Sequence, residues 1–163
     1  QDDLIFNDTI AQNIGCGNEQ YTLPRIIEAA KAAHAHNFIM KLPNGYDTII
    51  GELGEPLTVS QQFRIALARA ILRDPTILVI EELDQGLKDE DKAWFDDTLG
   101  RFLQGRTTIL LPHRLSTIRK ADRVVLLHQG TVMDQGTDTD LVRRSARYKH
   151  WQYMQFHQFQ EAG

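Results

Sequence analysis

"EPLTVSQQFRIALARAILRDPTILVIEELDQGL", residues 55–87, decides the fold. Phe63, Ile65, Ala66, Leu67, Ala70 and Ile71 recur at the spacing of one buried helical face, so a helix is expected over residues 60–72. Arg73-Asp74-Pro75 stops it, because the residue before a proline is pushed away from helical geometry. "TILVI" (76–80) is then a short continuous apolar run, as expected of a strand covered on both faces. Two carboxylates, Glu81 and Glu82, stand where that strand ends.

Downstream the alternation continues. A helix is expected over 89–103, a strand over 107–111, a short helix over 115–120 and a strand over 123–128. Gln129-Gly130 reads as a hairpin turn into 131–134. From Asp138 onward the pattern is helical, with Tyr148, Trp151 and Met154 three apart, a stripe expected to pack on its own core. Upstream, residues 23–40 read as one helix, with Pro24 in its first turn and Ile26, Ile27, Ala30 and Ala33 on one side. "LPNGYDT" (42–48) is a turn cluster. The expected fold is therefore α/β, with a mostly parallel sheet and an α-helical subdomain. Residues 1–73 form the helical part and 74–163 the sheet-bearing part.

At 163 residues, 42% hydrophobic and 25% charged, the chain can bury a core without staples. A net charge of -4 argues against a nucleic-acid surface, which carries a basic excess. Cys16 is the single cysteine, so no internal disulfide forms, which suits a reducing compartment. No apolar run approaches the ~18 residues of a membrane helix. The chain opens on Gln1 in what reads as a loop, and is expected to be a piece of something longer.

In open α/β sheets ligands bind beyond the carboxyl ends of the strands, where Glu81-Glu82 and Pro112-His113 fall. Paired carboxylates can fix magnesium and polarise a water for attack on a phosphoryl group, and a histidine nearby can hold the transferred phosphate. The plainer reading is a solvated acidic turn and a helix-capping histidine. Position alone does not separate the two.

The order of the segments does. Gln1-Asp2, "LIFNDTIAQNI" (4–14), "LPNGYDTIIGE" (42–52), "LTVSQQFRIALARAILRDPTILVIEE" (57–82) and "TTILLPHRLSTIRKADRVVLLHQGTVMDQGT" (107–137) closely resemble consecutive landmarks of ABC transporter nucleotide-binding domains. The resemblance covers nearly the whole chain and points to the exporter branch. "DTIIGELGE" in particular resembles the exporter loop that senses the partner subunit's membrane segment. It implies that Gln1 is the Q-loop glutamine, a magnesium ligand and hinge. It puts Leu57, Thr58, Val59, Ser60 and Gln61 on the LSGGQ signature and Ile77 to Ile80 on the Walker B strand. Glu81 then stands at the metal-binding carboxylate and Glu82 at the catalytic one. Gln85, Gly86, Leu87 and Lys88 fall on the D-loop, and His113 on the switch histidine.

The chain also departs from that pattern. No Gly-Lys pair occurs, so the phosphate-cradling loop G-x-x-x-x-G-K-[ST], which the family carries upstream of the Q-loop, is missing. The 163 residues alone are therefore expected not to hydrolyse ATP. Val59 and Ser60 replace both signature glycines, and a β-branched residue there is expected to block close backbone approach and to resist a positive φ. Glu81 replaces an aspartate and reaches about one C–C bond, ~1.5 Å, further. Lys88 ends the D-loop with a basic group instead of an acid.

The resemblance thus implies part of the ATP-hydrolysing domain of an ABC exporter, on the cytoplasmic side of a membrane. It uses ATP and magnesium and is joined to a transmembrane domain. Its expected partner is a second nucleotide-binding domain, non-identical because the altered signature would harm both sites of a homodimer. The rival is a degenerate regulatory subunit that clamps nucleotide without turning it over. Without the strand that leads into the phosphate loop, the sheet should close its gap by rearrangement or self-associate through exposed edges.

Overall fold

Capping groups set where the helices start. In chain order, the computed structural model describes residues 5–82 and 89–156. It begins with strand β1 (Asp8–Thr9) and helices α1 (Ile10–Gly15), α2 (Leu23–Ala32) and α3 (His36–Ile39). A 3-10 turn (Gly45–Asp47), strand β2 (Ile49–Ile50) and helix α4 (Val59–Arg73) follow. Then come β3 (Ile77–Glu81), α5 (Asp89–Phe102), β4 (Thr107–Leu111), α6 (Leu115–Arg119), β5 (Val124–His128), β6 (Thr131–Gly136), α7 (Asp138–Arg144) and α8 (Ala146–Phe156). Two compact units result: Gln1–Leu78 with Gln85–Ile109, and Val79–Asp84 with Leu110–Gly163.

The first unit is built on α4. Thr58 caps it: its hydroxyl accepts from the Gln61 N–H, and the Gln61 side chain accepts in return from the Thr58 N–H at 2.9 Å. The helix ends at Asp74, left-handed at φ 51, just before Pro75. Helix α4 packs on α1 and α2, with Ile10, Ile14, Ala30 and Ile65 fully buried. Burying each isoleucine contributes about 1.5–3 kcal/mol. Helix α5 joins this unit through Trp94, whose ring lies 6.3 Å from that of Phe63.

The single helix expected over 23–40 is broken. His34 takes φ 55, Ala35 donates back to Ala30 at 2.7 Å, and the chain restarts at α3. The break brings Ala33, Ala35 and Ile39 into the core together. The part expected to be helical, residues 1–73, also carries strand, which its sequence did not signal: β1 and β2 pair antiparallel, Asp8 opposite Ile50 and Thr9 opposite Ile49. Gly51 follows with φ 107, and a Cβ there would meet the Asn7 Cα at 2.9 Å, so glycine alone lets the two backbones touch.

β3 pairs with β4. The Thr107 N–H donates to the Thr76 carbonyl where the pair starts and the Glu82 N–H to the Leu111 carbonyl where it ends, both at 3.0 Å, which makes the pair parallel. β5 and β6 form an antiparallel hairpin through Gln129 (φ 48) and Gly130 (φ 74), the two left-handed residues a tight hairpin turn requires. Of three two-stranded sheets, one is parallel and two are antiparallel among the described residues.

One expectation is corrected. β3 is not covered on both faces: Leu78 and Ile80 are buried, whereas Ile77 and Val79 are 63% and 62% exposed. Among the described strands β4 and β5 lie in separate sheets, so the chain by itself does not close the expected gap. A two-residue turn closes β5 onto β6 at far less loop entropy than pairing with a distant strand.

In the second unit Ile118, Leu141 and Tyr148 form a buried cluster, with Val124, Val142 and Trp151 packed against it. Tyr148 and Trp151 of the expected stripe do pack on the core, their rings stacked at 5.8 Å, while Met154 is 38% exposed. No helix among the described residues is long and apolar enough to cross a membrane.

Candidate functional site at the end of strand β3

Strand alternation decides what the two carboxylates do. Leu78 and Ile80 point inward, so Glu81 points out and the next residue, Glu82, turns in. The Glu81 side chain is 51% exposed, whereas Glu82 is fully buried. Glu81 Oε1 lies 3.8 Å from Nε2 of His113, itself 36% exposed. These two groups form the open part of the site.

Glu82 is held by four donors from one turn. Its Oε2 accepts the backbone N–H of His113 and that of Arg114, each at 3.0 Å. Its Oε1 accepts the Thr117 hydroxyl at 2.7 Å and the Arg114 Nε–H. Arg114 is the N-cap residue of α6 and its side chain makes no capping bond; Glu82 instead accepts the N–H of Arg114 and that of His113 before it. A buried carboxylate is costly unless it is paired and hydrogen-bonded, and here it is both. Pro112, which has no N–H, ends β4 and precedes the two amides that face Glu82.

Glu81, Glu82 and His113 are thus brought together as the sequence suggested. Arg114 and Thr117 were missed. The signal was there: a buried acid needs a cation, and Arg114 directly follows the histidine with Thr117 one helical turn on.

Residues 57–61, expected to be the signature, belong to the first unit. Thr58 is the N-cap, and Val59, Ser60 and Gln61 form the first turn of α4. Val59 and Ser60 are helical and neither has a positive φ. What remains is bulk: the Val59 side chain, 57% exposed, stands at the first helical position. The Thr58 hydroxyl and the Gln61 side chain are engaged with each other's backbone. Gln1 and Gln85, Gly86, Leu87 and Lys88 lie outside the described residues.

Among the described residues no three His, Cys, Asp or Glu side chains gather as a ready-made metal cage. The exposed Glu81 carboxylate still fits magnesium, which is held by one or two carboxylates completed by waters and substrate phosphates.

No family model matches the chain. Individual relatives do. An ATP-dependent lipid A-core flippase of Syntrophus aciditrophicus (strain SB) is 43% identical over 156 residues, 96% of this chain and 26% of the relative. P-glycoprotein 14 of Caenorhabditis elegans is 42% identical over 148 residues, 91% of this chain and 11% of that protein. Among solved structures, a bacterial Atm1-family ABC exporter with ATP bound superposes with a TM-score of 0.84 at 37% identity, over 96% of this chain and 27% of that one. The chain spans about a quarter of the length of the flippase, 26%. Similarity of this degree over nearly all of its residues means that the chain belongs to the exporter-type ABC transporters and corresponds to part of their ABC domain.

Proposed function

We propose that this chain supplies the Walker B and switch-histidine part of an exporter's ATP-hydrolysing site and lends its signature turn to a second, non-identical ABC domain. The observation that carries this reading is the strand-end constellation, in which an exposed Glu81 faces His113 with Glu82 beside it. Glu81, together with Gln1, would hold magnesium; when bound, that ion neutralises charge on the phosphates. Glu82 acts as general base toward the attacking water, and His113 donates a hydrogen bond to the transferred phosphoryl group. Gln85, Gly86, Leu87 and Lys88 face the partner domain, and Thr58, Val59, Ser60 and Gln61 meet the nucleotide held there.

The parent protein couples this chemistry to export through a membrane domain, with the ATPase part on the cytoplasmic side. The names of the relatives, a flippase and a P-glycoprotein, support export as the task. The isolated 163 residues contain no Gly-Lys phosphate loop and do not turn ATP over. Calorimetry on them at millimolar ATP should register no binding, and a micromolar dissociation constant would refute this.

A second reading, a regulatory subunit that binds nucleotide without hydrolysing it, draws support from two observations. Glu82 is engaged by four donors, and the exposed Val59 side chain stands at the start of α4, where the resemblance puts a signature glycine. The deciding experiment uses the complete parent with its partner. Glu82→Gln should cut turnover by about 10²–10³, the usual worth of an electrostatic contact at the reacting centre. Val59→Gly with Ser60→Gly should change the partner's site alone. Turnover untouched by Glu82→Gln favours the regulatory reading, and ordinary exporter rates from the parent as a homodimer refute the asymmetric pair.

A further inference from the structure

We propose that Arg114 is a positioning residue that latches Glu82 in a withdrawn seat, and that the site is switched on when this side chain leaves the carboxylate. The inference rests on the reading of Glu82 as the general base. A base must come within about 2.6–3.2 Å of the proton it takes, directly or through one water. Glu82 has no solvent exposure, and both of its oxygens already accept two hydrogen bonds. As arranged, it offers no lone pair to an attacking water.

The four donors are not equivalent. Those on Oε2 are backbone N–H groups of His113 and Arg114, fixed parts of the turn that also carries the histidine. Those on Oε1 are side chains, the Thr117 hydroxyl and the Arg114 guanidinium, and each can leave by rotation about its own bonds. The Arg114 side chain is 21% exposed while Glu82 is fully buried, so solvent reaches the arginine and not the carboxylate that it holds. Its departure bares Oε1 beside the open Glu81–His113 pair and leaves the turn intact. The backbone pair keeps the carboxylate in register, and the side-chain pair decides whether it is available.

The test is made in the complete transporter with its partner, by measuring ATPase turnover in the absence of transported substrate. Releasing one charge-assisted hydrogen bond shifts the balance between held and free Glu82 roughly tenfold. Arg114→Gln should therefore raise basal kcat by up to about that factor with KM for ATP unchanged, and Arg114→Lys, which keeps the cation, should reverse most of the rise. Thr117→Val, which removes the neutral donor, should give a smaller rise and decides the matter if Arg114→Gln does not fold. Adding Glu82→Gln to either variant should abolish the gain. A purely structural Arg114 would lower kcat, so unchanged or reduced basal turnover in the folded variants overturns the latch. If Glu82→Gln alone leaves turnover intact, it is the functional reading that fails.

Discussion

Replacing Asn13 by alanine tests how the first unit is held together. Asn13 is fully buried, and its side chain is the knot at the start of the chain. Oδ1 accepts the Phe6 N–H at 2.8 Å, while Nδ2 donates to the carbonyls of Phe6 (3.0 Å), Asp8 (3.2 Å) and Thr9 (3.0 Å). These bonds fasten β1, and the approach to it, onto α1. The two Nδ2 hydrogens are shared among three carbonyls, so the side chain makes about three full bonds of about 1 kcal/mol net each; water can restore some of those made to Phe6 and Asp8, which are exposed, and about 2 kcal/mol is then lost in Asn13→Ala. For a chain of this size that lowers the melting temperature by about 4–8 °C. Asn13→Asp sharpens the test. It keeps an acceptor for Phe6 but turns the donor into an oxygen facing three carbonyls, so it should destabilise more than alanine. Urea unfolding of the 163-residue chain, followed by circular dichroism, gives both values. A loss below about 0.5 kcal/mol for alanine, within the scatter of surface substitutions, or an aspartate variant as stable as the parent, would refute the reasoning.

Two further outcomes follow from local chemistry. Thr58→Ala should cost about 1 kcal/mol, and Gln61→Ala on top should add little, since both disable the same box; additive losses in denaturant titrations would contradict this. Burial, and then the nearby charge of Glu28, push the Tyr46 phenol from its usual 10.0 up to about 12, and its oxygen sits 2.9 Å from Nδ1 of His36. The neutral form is thus favoured in the folded state. Its contribution is complete below pH 10.0 and is lost as pH rises through about 12. Tyr46→Phe should flatten that alkaline decline, and ultraviolet titration of the folded chain should find Tyr46 un-ionised at pH 10.0.

What could be read from sequence was local, and what could not depended on distant neighbours. The spacing of Phe63, Ile65, Leu67 and Ile71 announces α4, and Pro75 announces its end. Gln129-Gly130 fixes the hairpin for the same reason. The break at His34 gives no such notice, because no glycine or proline marks it; the core recruits Ala33, Ala35 and Ile39 and the backbone yields. The run "TILVI" reports that β3 is apolar but not what lies against it, so the exposure of Ile77 and Val79 could not be read there. The replacement of both glycines by Val59 and Ser60 was legible, and the first turn of α4 accepts the two residues with ordinary dihedrals.

The two glutamates join these scales. Adjacent carboxylates in sequence read as one acidic feature, yet a strand cannot present neighbours to the same side. With Leu78 and Ile80 inside, Glu81 must face water and Glu82 must face the protein. A carboxylate turned inward persists only where donors wait for it, and these lie 31 to 35 residues further along, at His113, Arg114 and Thr117. The same alternation therefore leaves one acid free to meet a cation while the other ties the end of β3 to the turn that carries the histidine. Any chemistry at this site has to begin from that division, with the solvent-facing carboxylate ready and the inward one held.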